Sequence, residues 1–137
     1  MLLYLLLMLP IAAETQEEWI NAPGLHPVEQ QMLDAVNSSR QRNGRPALKP
    51  EMGLVRGSRR HAHWMARNRN MSHAGGVQEN IAMGQSTVGN VQNTWMNSSG
   101  HRSNILSGAT HFGGSVCRSK SNGRLYWCQR FKRYKAQ

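Results

Sequence analysis

The sequence predicts a single α+β domain in which helices come first and an antiparallel hairpin comes last. Its 137 residues are about the length of one domain. Apolar residues recur at helical spacing along the first part of the chain. Near the C-terminus, Asn122-Gly123 separates two apolar runs, and this dipeptide is a strong hairpin signal. This order of helices and strands argues against a doubly wound parallel sheet, in which strands and helices alternate.

The first predicted helix follows an acidic lead-in segment at 14–26 that we expect to be irregular. It begins near Pro27, with Glu29 in its first turn and apolar residues at helical spacing behind it. Gly44 and the proline that follows it close the helix. The folded domain is therefore expected to begin at residue 27.

The second predicted helix begins at Pro50. Glu51 then falls in the first turn, where the helix dipole favours an anion. His61 lies on the apolar stripe and is interpreted as a hydrogen-bonded core histidine, whereas His63 falls on the opposite, solvated side.

The remaining elements are a third helix, a helical turn, two hairpin strands and a basic tail. They are expected at about 88–97 with Thr87 as N-cap, at 105–106, at 112–118 and 124–131, and at 133–137. The domain is thus predicted to span 27–132.

Residues 2–13 are apolar apart from Tyr4 and carry no charge. The run is shorter than the about 20 residues that a membrane span needs, but it fits the apolar region of a signal peptide. We therefore predict a signal peptide at 1–13, cleaved before Glu14, and a secreted or periplasmic chain without a transmembrane segment. An N-terminal core helix and a misplaced start codon are the alternatives.

Cys117 and Cys128 are the only cysteines. If Asn122-Gly123 is a two-residue loop, the cysteines lie directly opposite each other, at a Cα separation of about 5 Å that permits a disulfide. The alternatives are two buried thiols, or a metal pair that would still need two more ligands. A disulfide agrees with an oxidising compartment.

The charge of the chain is uneven. There are 17 Lys and Arg against 7 Asp and Glu, and from Arg40 onwards the only acids are Glu51 and Glu79. An anionic partner, such as an envelope glycan or lipid, is therefore expected, unless the basic surface is merely solvated. Nucleic acid is disfavoured, because the aromatic residues do not alternate with basic ones as stacking platforms would. We expect a monomer.

Glu79 is the acid that no helix start explains. It follows His73 by six residues, beyond a flexible Gly-Gly pair, where a carboxylate can orient an imidazole or join it as a metal ligand. A structural role is the alternative, and His101 is equally ambiguous alone. The chain has no Gly-x-Ser-x-Gly, His-Glu-x-x-His or phosphate-loop motif.

Six segments in order resemble landmarks of the CAP superfamily, which comprises cysteine-rich secretory proteins, antigen 5 and pathogenesis-related proteins. The similarity is to its bacterial, SCP-like branch and covers about 28–131. The segments are NSSR at 37–40 with GRPAL at 44–48, HAHWMA at 61–66, SH at 72–73, QENIAMG at 78–84, WMNSSGHRSNIL at 95–106 and YWCQRF at 126–131.

This resemblance implies an α-β-α sandwich with a surface cleft. In many members the cleft holds two histidines and two glutamates and binds a divalent metal, often zinc. His73 and His101 match the histidines and Glu79 matches one glutamate, whereas Ser98 stands in place of the other. Gln78 also replaces the glycine before Glu79. The chain therefore lacks one oxygen ligand or acid/base group of the family's set.

Three functions follow as hypotheses. The first is a secreted protein whose cleft binds Zn²⁺ or an unidentified small ligand through His73, His101 and Glu79. The second is a hydrolase of peptides or cell-wall material, with Glu79, His101 and Ser98 as candidate catalytic residues. It is disfavoured because two neighbouring residues do not make a triad. The third is a cationic module for anionic envelope components.

Overall fold

The computed structural model describes residues 13–136, and the predicted signal peptide, apart from Ala13, lies outside the described residues. The described chain contains helices on both sides of a four-stranded sheet. In chain order the elements are α1 (Gln16–Asn21), α2 (Pro27–Arg42), β1 (Lys49–Pro50), α3 (Met52–Asn68), β2 (Gln78–Met83), α4 (Val88–Met96), α5 (Ser99–Ile105), β3 (His111–Arg118) and β4 (Leu125–Lys132).

The lead-in segment contains a helix, α1, that was not expected from the sequence. At the start of α1 the Thr15 hydroxyl accepts a hydrogen bond from the Glu18 amide at 3.1 Å, and the Glu18 carboxylate accepts one from the Thr15 amide at 2.7 Å. This is a capping box, whose Thr-x-x-Glu signature was present in the sequence. The expectation of an irregular segment at 14–26 was therefore wrong.

The three long predicted helices are confirmed, with small differences at their ends. Glu51 is the N-cap of α3 rather than a first-turn residue, and its carboxylate accepts from the amides of Gly53 and Leu54, each at 2.8 Å. Thr87 caps α4 as predicted. The single helical turn expected at 105–106 is instead the last part of α5.

The sheet is mixed rather than purely antiparallel. Its strand order is β1-β3-β4-β2, with β1 parallel to β3 and the other neighbours antiparallel. β1 has two residues, too few for a sequence pattern. β2 is buried at four consecutive positions, so it lacks the alternation by which a half-exposed strand is recognised.

Two hydrophobic clusters lie on opposite faces of this sheet, which confirms the α-β-α sandwich. Alternate residues of a strand point to opposite faces, and accordingly Trp127 belongs to one cluster and Cys128 to the other. The larger cluster joins the sheet to α2, α4 and α5, and the smaller one joins it to α3. Their buried side chains include Met32, Val36, Trp95, Phe112 and Phe131 in the larger, and Ala62, Met65, Ile81 and Tyr126 in the smaller.

The predicted disulfide is wrong, because the hairpin loop is longer than two residues. β3 ends at Arg118, which pairs with Leu125, so residues 119–124 form the loop. The pairing shifts by two residues, and Cys117 lies opposite Tyr126 instead of Cys128. Both cysteines are free thiols, one half-buried and the other buried.

Two buried arginines tie the loops to the core. Arg40 donates to the carbonyls of Pro46, Ile105 and Ser107 at 2.8 Å and to that of Ala109 at 3.4 Å. Arg59 forms an ion pair with Glu29 at 2.7 Å and also donates to the carbonyl of Ile20 in the last turn of α1 and to those of Ala22 and Gly24 in the loop before α2.

None of the helices within residues 13–136 combines the length and the apolar character that crossing a membrane requires.

Candidate functional site

The centre of the candidate site is the buried carboxylate of Glu79 on β2. Its Oε1 accepts hydrogen bonds from the Ala74 amide at 2.8 Å and from His73 Nδ1 at 3.1 Å. Its Oε2 accepts from Arg130 Nε at 3.2 Å. Because Glu79 and Arg130 are paired residues on β2 and β4, their side chains project from the same face of the sheet.

His61 of α3 also reaches this carboxylate. It is 8% exposed, and its Nε2 lies 2.7 Å from the Ser72 carbonyl and 3.8 Å from Glu79 Oε1. A carbonyl only accepts, so Nε2 carries the proton that is donated to Ser72. The interpretation of His61 as a hydrogen-bonded core histidine is confirmed. Its position beside the site was not foreseen.

His101 approaches from the other side of β2, on α5. Its Nδ1 lies 2.9 Å from the Ser98 hydroxyl, and its backbone carbonyl accepts from the Asn80 side chain at 3.0 Å. Burial lowers the pKa of His101, and a charge on the nearby His73 would lower it further.

An amide network fixes this edge. Asn104 of α5 donates to the Glu79 carbonyl at 3.2 Å and to the Asn80 side chain at 2.8 Å. Asn80 in turn donates to Gln129 of β4 at 2.9 Å. The segment at 95–106 was identified by its resemblance to the family. The hydrogen bonds of these amides to β2 and β4 depend on strand register and were not predicted.

The predicted ligand set of His73, Glu79 and His101 is not assembled as a metal centre. Within residues 13–136, no three His, Cys, Asp or Glu side chains converge as a metal ion would require. Both Glu79 oxygens are occupied by hydrogen bonds, one of them from a guanidinium. Glu79 thus orients His73 in the way that an outer-shell carboxylate orients a ligating histidine.

The imidazoles of His73 and His101 are supported in a similar way. Each ring is held through Nδ1, His73 by Glu79 and His101 by Ser98. Across the described part of the chain, neither Nε2 has a hydrogen-bond partner on the protein. Ser98 thus supports His101 from the position at which the family resemblance implies a second glutamate.

Of the contacts that a hydrolase triad would need, the structure has the one between serine and histidine but not the one between histidine and an acid. The Ser98 hydroxyl does touch His101. Among residues 13–136, however, the His101 ring has no hydrogen bond to a carboxylate, and Glu79 is engaged with His73 instead. A serine–histidine–acid arrangement is therefore not formed here.

A small basic cavity adjoins the Glu79 carboxylate on the α3 side. It has a volume of about 280 Å³ and is lined by Gly57, Arg60, His61, Trp64 and Arg130. Trp64 stacks on His61 and remains 44% exposed. A Cβ on Gly57 would lie 2.3 Å from Arg130 Nη1, so the glycine is what allows the guanidinium to lie against the helix.

Comparison with known proteins gives a consistent result. The sequence model of the cysteine-rich secretory protein family, CAP, matches residues 33–131. An uncharacterised protein of Bacillus subtilis, YkwD, is 30% identical over 142 aligned positions, which cover 89% of this chain and 54% of YkwD. This chain therefore spans about half the length of that relative.

Solved structures agree. An extracellular protein of Bacillus anthracis that contains an SCP domain superposes with a TM-score of 0.69 at 26% identity, over 81% of this chain and 45% of that one. An outer surface protein of Borrelia burgdorferi shares the fold alone, with a TM-score of 0.67 at 17% identity over 77% of this chain and 92% of its own. From the family match, the YkwD identity and the shared sandwich, the chain belongs to the cysteine-rich secretory protein (CAP) family and is a CAP/SCP domain of the bacterial type.

Proposed function

We propose that this CAP domain acts outside the cytoplasm and binds a divalent metal ion in its cleft through the imidazoles of His73 and His101. The observation that carries the proposal is the contact of 3.1 Å between His73 Nδ1 and the buried Glu79 Oε1. The His73 side chain is 60% exposed. Its ring is thus fixed at one nitrogen and accessible from solvent.

A histidine that ligates a metal usually donates its other ring N–H to a carboxylate, which fixes the tautomer and raises the basicity of the ligating nitrogen. Glu79 fills this role for His73, and Ser98 supports His101. Zn²⁺ suits imidazole ligands and prefers four-coordination. Two protein ligands would leave positions for water or for a small exogenous ligand.

The extracytoplasmic location is supported by the apolar N-terminal run and by the extracellular B. anthracis relative. The cysteines no longer support it, because they are free thiols.

Zn²⁺ titration by calorimetry tests the proposal. We expect one Zn²⁺ per chain for the metal-free protein and no binding for His73→Ala/His101→Ala. His111→Ala is the matched control, since His111 lies at the start of β3, and it should bind as the wild type does. Glu79→Gln should weaken binding about 10–100-fold through the outer shell. Wild-type protein that does not bind Zn²⁺, or a double variant with unchanged affinity, would overturn the proposal.

The basic cavity favours a second candidate function, the binding of an anionic envelope glycan. Arg130 donates to Glu79 through Nε, and within the described residues its two terminal nitrogens have no hydrogen-bond partner. The guanidinium groups of Arg130 and the exposed Arg60 could bind the carboxylate of an acidic sugar. The exposed Trp64 offers a flat ring on which the sugar can pack. Binding of a uronic-acid oligosaccharide should weaken with ionic strength and be lost in Arg60→Met/Trp64→Ala. An affinity that is insensitive to both changes would exclude this function.

A further inference from the structure

A second and larger cavity lies away from the cleft. It has a volume of about 600 Å³ and is bordered by α1, the last turns of α3 and the end of the hairpin. Its lining includes Trp19, His63, Arg67, Cys117 and Lys120. None of the cleft residues discussed above lines it. The cavity is therefore a separate feature that the proposed metal function does not use.

Within this cavity a thiol meets an imidazole. Cys117 Sγ lies 3.3 Å from His63 Nδ1, which is within hydrogen-bonding range for a thiol. The contact corrects the expectation that His63 is solvated, since its ring is half-buried between α3 and β3. The shifted hairpin register explains the pair, because it takes Cys117 away from Cys128 and leaves its side chain facing α3.

The resting pair is a thiol beside a neutral imidazole, and the contact of 3.3 Å places the ring where it can take the thiol proton during attack. Both pKa shifts keep the proton on sulfur at rest. Burial lowers the pKa of His63, so the imidazole is neutral near pH 7 and can accept a proton. Burial also raises the pKa of Cys117, with Lys120 opposing the shift, so the resting group is a thiol. A thiol in this state becomes a nucleophile when an adjacent base removes its proton.

The lining favours an anionic reagent. Arg67, Arg118 and Lys120 are exposed around the cavity, with Glu14 as the one acid in its lining. Such an excess of positive charge raises the local concentration of small anions. Trp19 contributes an aromatic wall to the same cavity.

Cys128 provides an internal contrast. It is fully buried against α3, and burial together with the nearby Glu79 charge raises the pKa of its thiol to about 12. It has no imidazole partner among the described residues. A thiol reagent in solution should therefore react with Cys117 much faster than with Cys128.

We propose that Cys117 is a modification site that reacts with small disulfides bearing carboxylates, with His63 as its base. His63 Nδ1 takes the thiol proton while Cys117 Sγ attacks one sulfur of the disulfide R–S–S–R. A Cys117–S–S–R bond forms, the R–S–S–R bond breaks, and the proton passes to the leaving thiolate as R–SH. The Cys117 sulfur is oxidised and the released sulfur is reduced, so the small disulfide is the oxidant.

The reaction with 5,5′-dithiobis(2-nitrobenzoate), a dianionic disulfide, tests the site in the folded protein. We expect one fast equivalent of released thionitrobenzoate from the wild type, none from Cys117→Ser, and one from Cys128→Ser. The rate should fall at least about tenfold in His63→Gln, because general-base assistance is lost. Mass spectrometry after incubation with glutathione disulfide should place the adduct on Cys117.

Charge selectivity is tested first on the wild-type protein. Raising the ionic strength should slow the dianionic reagent but leave the neutral hydroxyethyl disulfide unaffected. The double variant Arg67→Gln/Lys120→Gln should likewise react more slowly with the dianionic reagent and at an unchanged rate with hydroxyethyl disulfide. Near-UV circular dichroism checks that each variant is folded. The proposal fails if the folded wild type does not react although both thiols react in urea. It fails equally if Cys128 reacts first, or if neither His63→Gln nor salt changes the rate with the dianionic reagent.

Discussion

Glu79 and Arg130 lie directly opposite each other on β2 and β4, and Arg130 Nε donates to Glu79 Oε2 at 3.2 Å. The Glu79 side chain is completely buried and that of Arg130 is 16% exposed. Arg130 places a positive charge beside the carboxylate that orients His73. Because Arg130 also lines the basic cavity, the cavity and the cleft share this residue pair.

Removal of Arg130 should leave an uncompensated buried charge. We expect Arg130→Met to lower the free energy of unfolding by about 3 kcal/mol, measured by urea denaturation. The double variant Glu79→Gln/Arg130→Met should lose less than the sum of the two single variants, since it no longer buries a charge. Strict additivity in this cycle would show that the pair is not coupled.

Arg40 should be equally important for stability, through backbone carbonyls. Arg40→Met leaves four buried or half-buried carbonyls without their guanidinium donor, and we expect a loss of about 3 kcal/mol. The exposed Arg45 provides the matched control, because Arg45→Met should change stability by less than about 0.5 kcal/mol. Similar urea midpoints for the two variants would contradict this role of Arg40.

The Glu51 cap predicts a dependence of stability on pH. Burial alone would raise the pKa of Glu51, but the hydrogen bonds from the Gly53 and Leu54 amides, together with Tyr134 and the charge of His111, outweigh it, and the folded pKa is lowered. A lowered folded pKa stabilises the protein above the unfolded pKa, about 4.3, and this contribution is lost as the pH falls through the folded value.

Glu51→Ala should therefore cost about 1 kcal/mol at pH 7, and its deficit relative to the wild type should shrink as the pH falls below about 4. Thermal unfolding across this pH range measures the difference. Glu14→Ala, at an exposed position, serves as control. A deficit that stays constant from pH 7 to pH 3 would argue against the cap.

Gly113 sets the distance between β3 and α3. A Cβ there would lie 2.2 Å from the Val55 amide nitrogen, so Gly113→Ala would push α3 away from the sheet and should cost about 3 kcal/mol. Gly89→Ala in α4 is the matched control. Its Cβ would meet only Thr87 Oγ1, at 4.0 Å, and the change should be neutral or stabilise by up to about 1 kcal/mol. Comparable losses in both variants would refute the close approach.

The long helices could be predicted because their signals are local. Apolar spacing and nearby caps such as Thr87 determine α2, α3 and α4 within a few residues of sequence. The order of the motifs also placed His73, Glu79 and His101 near one another. These inferences needed no knowledge of strand pairing.

What could not be predicted depends on register. Asn122-Gly123 marks a turn, but the turn lies inside a six-residue loop at 119–124. The pairing of β3 with β4 is therefore shifted by two residues from the expected register, and the cysteines are not opposite each other. The contact between Glu79 and Arg130 joins two residues that are 51 positions apart in sequence. Since the buried strand β2 shows no alternation, neither its pairing nor Arg130 as a partner could be deduced from the pattern.

The separation of the cysteines also affects how the protein can mature. Over residues 13–136 the fold contains no covalent cross-link between distant parts of the chain, so packing and buried polar contacts hold the sandwich together. Folding of the domain therefore needs neither an oxidant nor a disulfide isomerase. The native contacts of the described domain are all formed with both thiols reduced.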